Sequence, residues 1–213
     1  MSITIAQVKE TVRNLCDIVI ENEVPFCELD SVAGDGDFGM SLAKGFRQVK
    51  AQIDDMDNES IYKFLRGCGM ILYEFCGGAS GPIWGSGFTA AASCTKGKTD
   101  LELEDLALMF SEAVAAIRKR GGASRGDKTL LDALIPAAEA LKEGADNGKS
   151  IKEGLIAAAS AAEAGAESTK TMVASKGRAS YLGQRSLNHP DAGASAIAII
   201  MKSLLNQQLS KVE

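Results

Sequence analysis

The chain has 213 residues, a formal net charge of −5 and a pI of about 5.1; 46% of its residues are hydrophobic but only 5% aromatic. No basic patch or tail is present, which argues against a nucleic-acid partner, and no apolar run approaches the length of a membrane span. A core built from Ala, Leu, Ile, Val and Met with few rings predicts close-packed helices.

The first residues, Met1-Ser2-Ile3-Thr4, lack the basic and long apolar segments of a signal peptide. The five cysteines (Cys16, Cys27, Cys68, Cys76, Cys94) are odd in number and form no CxxC pair, so reduced thiols in a cytoplasmic protein are expected. Apolar spacing predicts a first helix over residues 4–21, with Ile5, Val8, Val12, Leu15, Ile18 and Val19 on one face. A loop follows, and a second helix is predicted over 39–53. Residues 54–58 read as an acidic turn, and Ser60 as the N-cap of a third helix over 61–75. A glycine-rich turn at 76–82 leads to a fourth helix over 83–94. Thr99 or Asp100 would cap a fifth over 102–119. The sixth, over 129–143, contains Pro136, which should kink it or fix its start. Ser150 would cap a seventh over 151–174. Residues 176–193 read as irregular, and an eighth helix is predicted over 194–208. No segment reads as a strand and no linker divides the chain. The expectation is one all-α domain over 1–213, with eight amphipathic helices and mostly antiparallel neighbours.

The stretch at 29–39, Leu-Asp-Ser-Val-Ala-Gly-Asp-Gly-Asp-Phe-Gly, holds Asp30, Asp35 and Asp37 within eight residues. Carboxylates this close repel unless a cation lies between them, and hard divalent ions take such oxygen ligands. Gly34, Gly36 and Gly39 let the backbone turn sharply ahead of a helix start, where N–H groups favour anions. A solvated acidic turn is the plain alternative. The spacing is not that of an EF-hand. Gly77-Gly78-Ala79-Ser80-Gly81 reads equally as a phosphate wrap or a flexible turn. Asp127 can cap the sixth helix, with Lys128 either facing a phosphate or solvated. Arg178 and Arg185 are suited to phosphate, or to salt bridges with an acidic surface. His189, the only histidine, reads as a loop residue. In an up-down array every second loop shares one end. The four glycine-rich, chemically loaded loops are alternate ones, so they are expected to meet in one composite site.

Four ordered motifs carry a resemblance over essentially the whole chain: Leu-Asp-Ser-x-x-Gly-Asp-Gly-Asp-x-Gly (29–39), Gly-Gly-Ala-Ser-Gly-Pro (77–82), Gly-Asp-Lys-Thr (126–129) and Gly-Arg-Ala-Ser-Tyr-Leu-Gly-x-Arg-Ser (177–186). Together they resemble the ADP-binding L subunit of dihydroxyacetone kinases. The resemblance implies a closed barrel of eight antiparallel amphipathic helices with the nucleotide at one end. It implies that Asp30, Asp35 and Asp37 bind two Mg²⁺ bridging the phosphates of ADP or ATP. Phe38, Gly39, Met40, Ser41, Ala79, Ser80, Gly121, Leu130, Arg178, Asp191, Ala192 and Gly193 would hold the nucleotide. It also implies a partner K subunit that carries dihydroxyacetone and an M-type phosphohistidine donor; a homodimer is compatible with it. An ATP-dependent kinase of another short ketose, or a non-catalytic nucleotide sensor, are the alternatives on the same fold. This chain has Asp191-Ala192-Gly193-Ala194 where the family usually reads Asp-Pro-Gly-Ala, and Phe38 where bacterial relatives often have His.

Overall fold

The computed structural model describes residues 2–57 and 59–209. Nine α-helices occur among them: α1 (Ile5–Glu21), α2 (Glu23–Ser31), α3 (Phe38–Gln52), α4 (Ile61–Phe75), α5 (Ser80–Ser93), α6 (Leu103–Gly121), α7 (Leu131–Asp146), α8 (Ile151–Ser168) and α9 (Ala192–Leu209). The helices α3 to α9 pack each on the next, α9 returns to α1, and α1 packs on α3. The ring therefore closes as a helical barrel of eight, with the short α2 packed on α3 as an addition.

Local chemistry sets the boundaries. Thr4 caps α1 and Ser150 caps α8, each with a reciprocal side-chain bond from the third helical residue. Ser60 accepts from the Lys63 N–H at the head of α4. Gly122, at φ +61, ends α6 in the left-handed conformation that glycine adopts without cost. Apolar residues at helical spacing then turn inward. Val8, Val12, Leu42, Phe46, Phe64 and Leu72 belong to one buried cluster; Ile117, Leu134, Leu141, Ala162 and Ile197 belong to a second. An apolar cavity of about 300 Å³, lined by residues such as Leu15, Trp84, Met109 and Ile200, lies between them along the barrel. Glycine and alanine bring backbones close where α7 crosses α8: a Cβ added at Gly165 would lie 2.2 Å from the Asp132 carbonyl oxygen. Pro136 sits within α7 and has no N–H to give that same carbonyl.

Several expectations need correction. The first loop is shorter than expected, because Asp30 lies on the last turn of α2. That helix buries only Phe26 and carries Pro25 in its first turn, so its periodic signal is weak. A two-residue antiparallel ladder pairs Ile3–Thr4 (β1) with Asp100–Leu101 (β2), so Asp100 is in a strand and Glu102 is the N-cap of α6. Ser80 already belongs to α5, three residues ahead of its expected start. The seventh helix ends at Ser168 and passes into a 3₁₀ turn, Thr169–Thr171; a second 3₁₀ segment, Arg178–Ser186, occupies much of the stretch expected to be irregular. The expected turn at 54–58 ends on Asn58, which lies outside the described residues. None of the helices described is long and apolar enough to cross a membrane.

Candidate functional site

Asp30, Asp35 and Asp37 converge although they begin on different elements. Each offers a carboxylate oxygen, and these oxygens all lie within 4.8 Å of one another. The Asp30 side chain folds back to accept the Gly36 N–H at 2.9 Å. Gly34 makes room for it, since a Cβ there would meet the Asp30 carboxylate at 2.2 Å. Gly36 takes φ +75 to complete the turn. The Arg178 guanidinium pairs with Asp35 and lies 3.8 Å from Asp37, so the far 3₁₀ segment closes over the acidic loop.

The first turn of α3 follows directly. Its Gly39 packs under α2, where a Cβ would meet the Glu23 carbonyl at 1.9 Å. The Met40 N–H is given to the half-buried Cys27 sulfur at 3.3 Å. Ser41 meets the glycine-rich turn: the Gly77 N–H donates to the Ser41 carbonyl at 3.0 Å. That contact brings Ala79 and Ser80, at the head of α5, beside the acidic loop. Gly121 lies against Ile83 one turn further along α5. Leu130, at the head of α7, is within 3.3 Å of the Cβ position of Gly193.

Helix ends distinguish the two ends of the barrel. At the plain end, α1, α4 and α8 start with side-chain caps, and Asp105 accepts the Glu102 N–H at the start of α6. At the loaded end, α3 and α5 start at Asp37 and Ala79 with no bond from those side chains, whereas the Leu131 N–H at the start of α7 donates to the Thr129 hydroxyl at 3.2 Å. Two helix starts, those of α3 and α5, therefore lie beside the three carboxylates, a combination suited to an anion bridged to cations. The head of α9 is closed as well: Asp191 accepts the Ala194 N–H at 2.8 Å as its N-cap. Ala192 is thus the first helical residue, a position that needs no proline to form. Burial pushes the Asp191 carboxyl up to about 6, with the nearby Asp132 carboxylate adding to the rise and the Ala194 N–H and Lys128 ammonium opposing it.

Lys128 differs from both expectations. It is neither solvated nor facing the loaded pocket: it is 2% exposed, at φ +60, and its ammonium donates to backbone carbonyls. Nor does Asp127 cap α7; its side chain accepts the Ser124 N–H and the Ser175 hydroxyl. Asp132, inside the helix, takes the Gly126 and Thr129 N–H groups at 2.5 and 2.8 Å. Residues 129–132, Thr-Leu-Leu-Asp, fit the spacing of a capping box, so this bond was legible in the sequence. All five cysteines are free, and burial raises the thiols of Cys16, Cys68 and Cys76 to about 12. His189 is exposed at the rim.

The DAK2 domain family matches residues 32–206. Over 204 residues the chain is 37% identical to the PEP-dependent dihydroxyacetone kinase, ADP-binding subunit DhaL, of Escherichia coli (strain K12), covering 96% of this chain and 97% of that one. Over 179 residues it is 41% identical to the ADP-binding subunit DhaL of PEP-dependent dihydroxyacetone kinase 2 of Listeria innocua, covering 83% and 82%. The solved dihydroxyacetone kinase from C. freundii in complex with AMP-PNP and Mg²⁺ aligns with a TM-score of 0.75 at 28% identity, over 95% of this chain and 34% of that one. This chain thus spans about a third of the C. freundii kinase but nearly all of the E. coli subunit. With its helical ring and four motif loops gathered at one end, the chain belongs to the DAK2 domain family, with the ADP-binding L subunits of dihydroxyacetone kinases.

Proposed function

We propose that this chain is the nucleotide-carrying phosphotransfer subunit of a dihydroxyacetone kinase, and that it holds ADP or ATP with two Mg²⁺ at the loaded end of the barrel. One observation carries the reading: three converging carboxylates border the starts of α3 and α5, neither of which its own N-cap side chain closes. The donor set fits, because carboxylate oxygens suit a hard divalent cation. Bound Mg²⁺ would supply charge neutralisation to the phosphates and alignment for transfer.

The remaining roles belong to the chain itself. Asp30, Asp35 and Asp37 hold the metal. Phe38, Gly39, Met40 and Ser41 at the start of α3, with Ala79 and Ser80 at the head of α5, would border the phosphates, and Arg178 would add a guanidinium beside them. Gly121, Leu130, Asp191, Ala192 and Gly193 line the nucleoside side. The acceptor would be held elsewhere, on a K subunit, so none of these groups need act as its general base. The relatives' names as PEP-dependent kinases favour recharging by an M-type phosphohistidine donor over exchange with free ATP.

Reconstitution tests this reading. The purified chain is combined with a K subunit, dihydroxyacetone and either ATP or a phosphohistidine donor. Dihydroxyacetone phosphate should form with the phosphohistidine donor and depend on this chain. Nucleotide binding without transfer from either donor would instead identify a sensor.

A further inference from the structure

The Lys128 ammonium lies at a junction that the nucleotide reading does not use. It donates to the carbonyls of Thr169 at 2.8 Å, Met172 at 3.2 Å, Ser186 at 2.6 Å and His189 at 2.8 Å. Three N–H groups are thus shared among four acceptors, and no carboxylate lies within ion-pair distance among the described residues. A buried ammonium without such partners would be strongly disfavoured, so the site is built around it. Among the described residues five polar or charged side chains are buried: Thr95, Lys128, Asp132, Thr169 and Ser186. All but Thr95 belong to this junction. Asp132 holds the loop that presents Lys128. The Thr169 hydroxyl accepts the Asp191 N–H at 2.8 Å, and the Ser186 hydroxyl accepts the Ala174 N–H at 3.0 Å.

The four carbonyls come from two places in the chain, on either side of the segment that carries Arg178. Thr169 and Met172 precede that segment; Ser186 closes it and His189 follows it. Both stems of the loop therefore end on one nitrogen. The neighbouring Ser175 N–H and hydroxyl go to Asp127, next to Lys128 in sequence. The Asn188 N–H donates to the Lys170 carbonyl at 2.8 Å and ties the stems to each other.

We propose that Lys128 is a positioning residue: its ammonium clasps both stems of the 172–189 loop and so sets Arg178 over Asp35 and Asp37, and Asp191 at the head of α9. This rests on the nucleotide reading for what Arg178 is positioned to do, whereas the clasp itself is independent of it. The left-handed backbone at Lys128 supports the same role, because a non-glycine residue is held there only when its surroundings fix it.

A double-mutant cycle tests the proposal, using Lys128→Met, Arg178→Ala and the pair, with ADP affinity read by calorimetry in Mg²⁺. Lys128→Met should weaken ADP at least tenfold while helical content is retained. Arg178→Ala should then cost at least fivefold less in the Lys128→Met background than in the wild type, because Arg178 is already misplaced. Additive losses, or wild-type affinity in Lys128→Met, would overturn the proposal. Amide hydrogen exchange provides a second readout that needs neither nucleotide nor a folded variant. In the wild type the amides of Ala174, Ser175, Asn188 and Asp191 should open together as one unit. Unrelated opening rates for these four would also overturn it. If the wild type binds no ADP, the functional reading fails and the exchange data alone decide the clasp.

Discussion

Arg178 rests on Asp35, so a cation from the last loop neutralises part of an acidic cluster built by the first. Under the proposed nucleotide reading, the same guanidinium would meet phosphates once metal occupies the carboxylates. Removing it should therefore have two effects of opposite sign. Arg178→Ala should tighten Mg²⁺ alone by at most about fivefold, since an exposed ion pair is worth ~1 kcal/mol or less. It should weaken ADP in the presence of Mg²⁺ by about tenfold or more, the scale of a charge-assisted hydrogen bond. Metal and nucleotide titrations followed by calorimetry check both signs.

Asp191 makes stability depend on pH. Its carboxyl is raised from 3.8 to about 6 in the folded chain, because burial disfavours the charged form. The folded state then binds more protons than the unfolded state between these values, so this group's contribution is present below about 4 and is lost as pH rises through 6. Asp191→Asn keeps a capping oxygen and removes the titration. Its stability relative to the wild type should rise by about 2–3 kcal/mol between pH 4 and pH 7 at 1.36 kcal/mol per pKa unit. Urea unfolding at each pH measures that difference.

Two glycine substitutions should act in opposite directions. Gly165→Ala drives a methyl into the Asp132 carbonyl, where α7 and α8 meet as backbones, and should destabilise by about 3 kcal/mol. Gly67→Ala, within α4, meets only the Met56 sulfur at 4.0 Å and should stabilise by about 0.5–1 kcal/mol through helix propensity. Denaturation midpoints at constant m-value distinguish the two.

Features encoded over short range were legible in the sequence. The third predicted helix coincides with α4, because Ile61, Phe64, Leu65, Cys68 and Leu72 mark one face and Ser60 marks its start. The convergence of the loaded loops followed from counting helices, and its test cases are the Gly77 bond to Ser41 and the Arg178 pair with Asp35. The added α2 did not upset that count, because it extends the connection between α1 and α3 without crossing the ring. What stayed hidden depends on distant partners. Lys128 looks solvated in its own sequence context, and only carbonyls supplied by 169–172 and 186–189 explain its burial. Helix α2 was missed because one buried residue, Phe26, gives no period to read.

The central claim is that Asp30, Asp35 and Asp37 bind the metal through which nucleotide is held. Calorimetric titration of ADP into the wild-type chain and into Asp35→Ala, each with and without Mg²⁺, tests it most directly. Saturable binding should appear only for the wild type with Mg²⁺ present. Equal ADP affinity in Asp35→Ala, or no binding by the wild type in Mg²⁺, would contradict it.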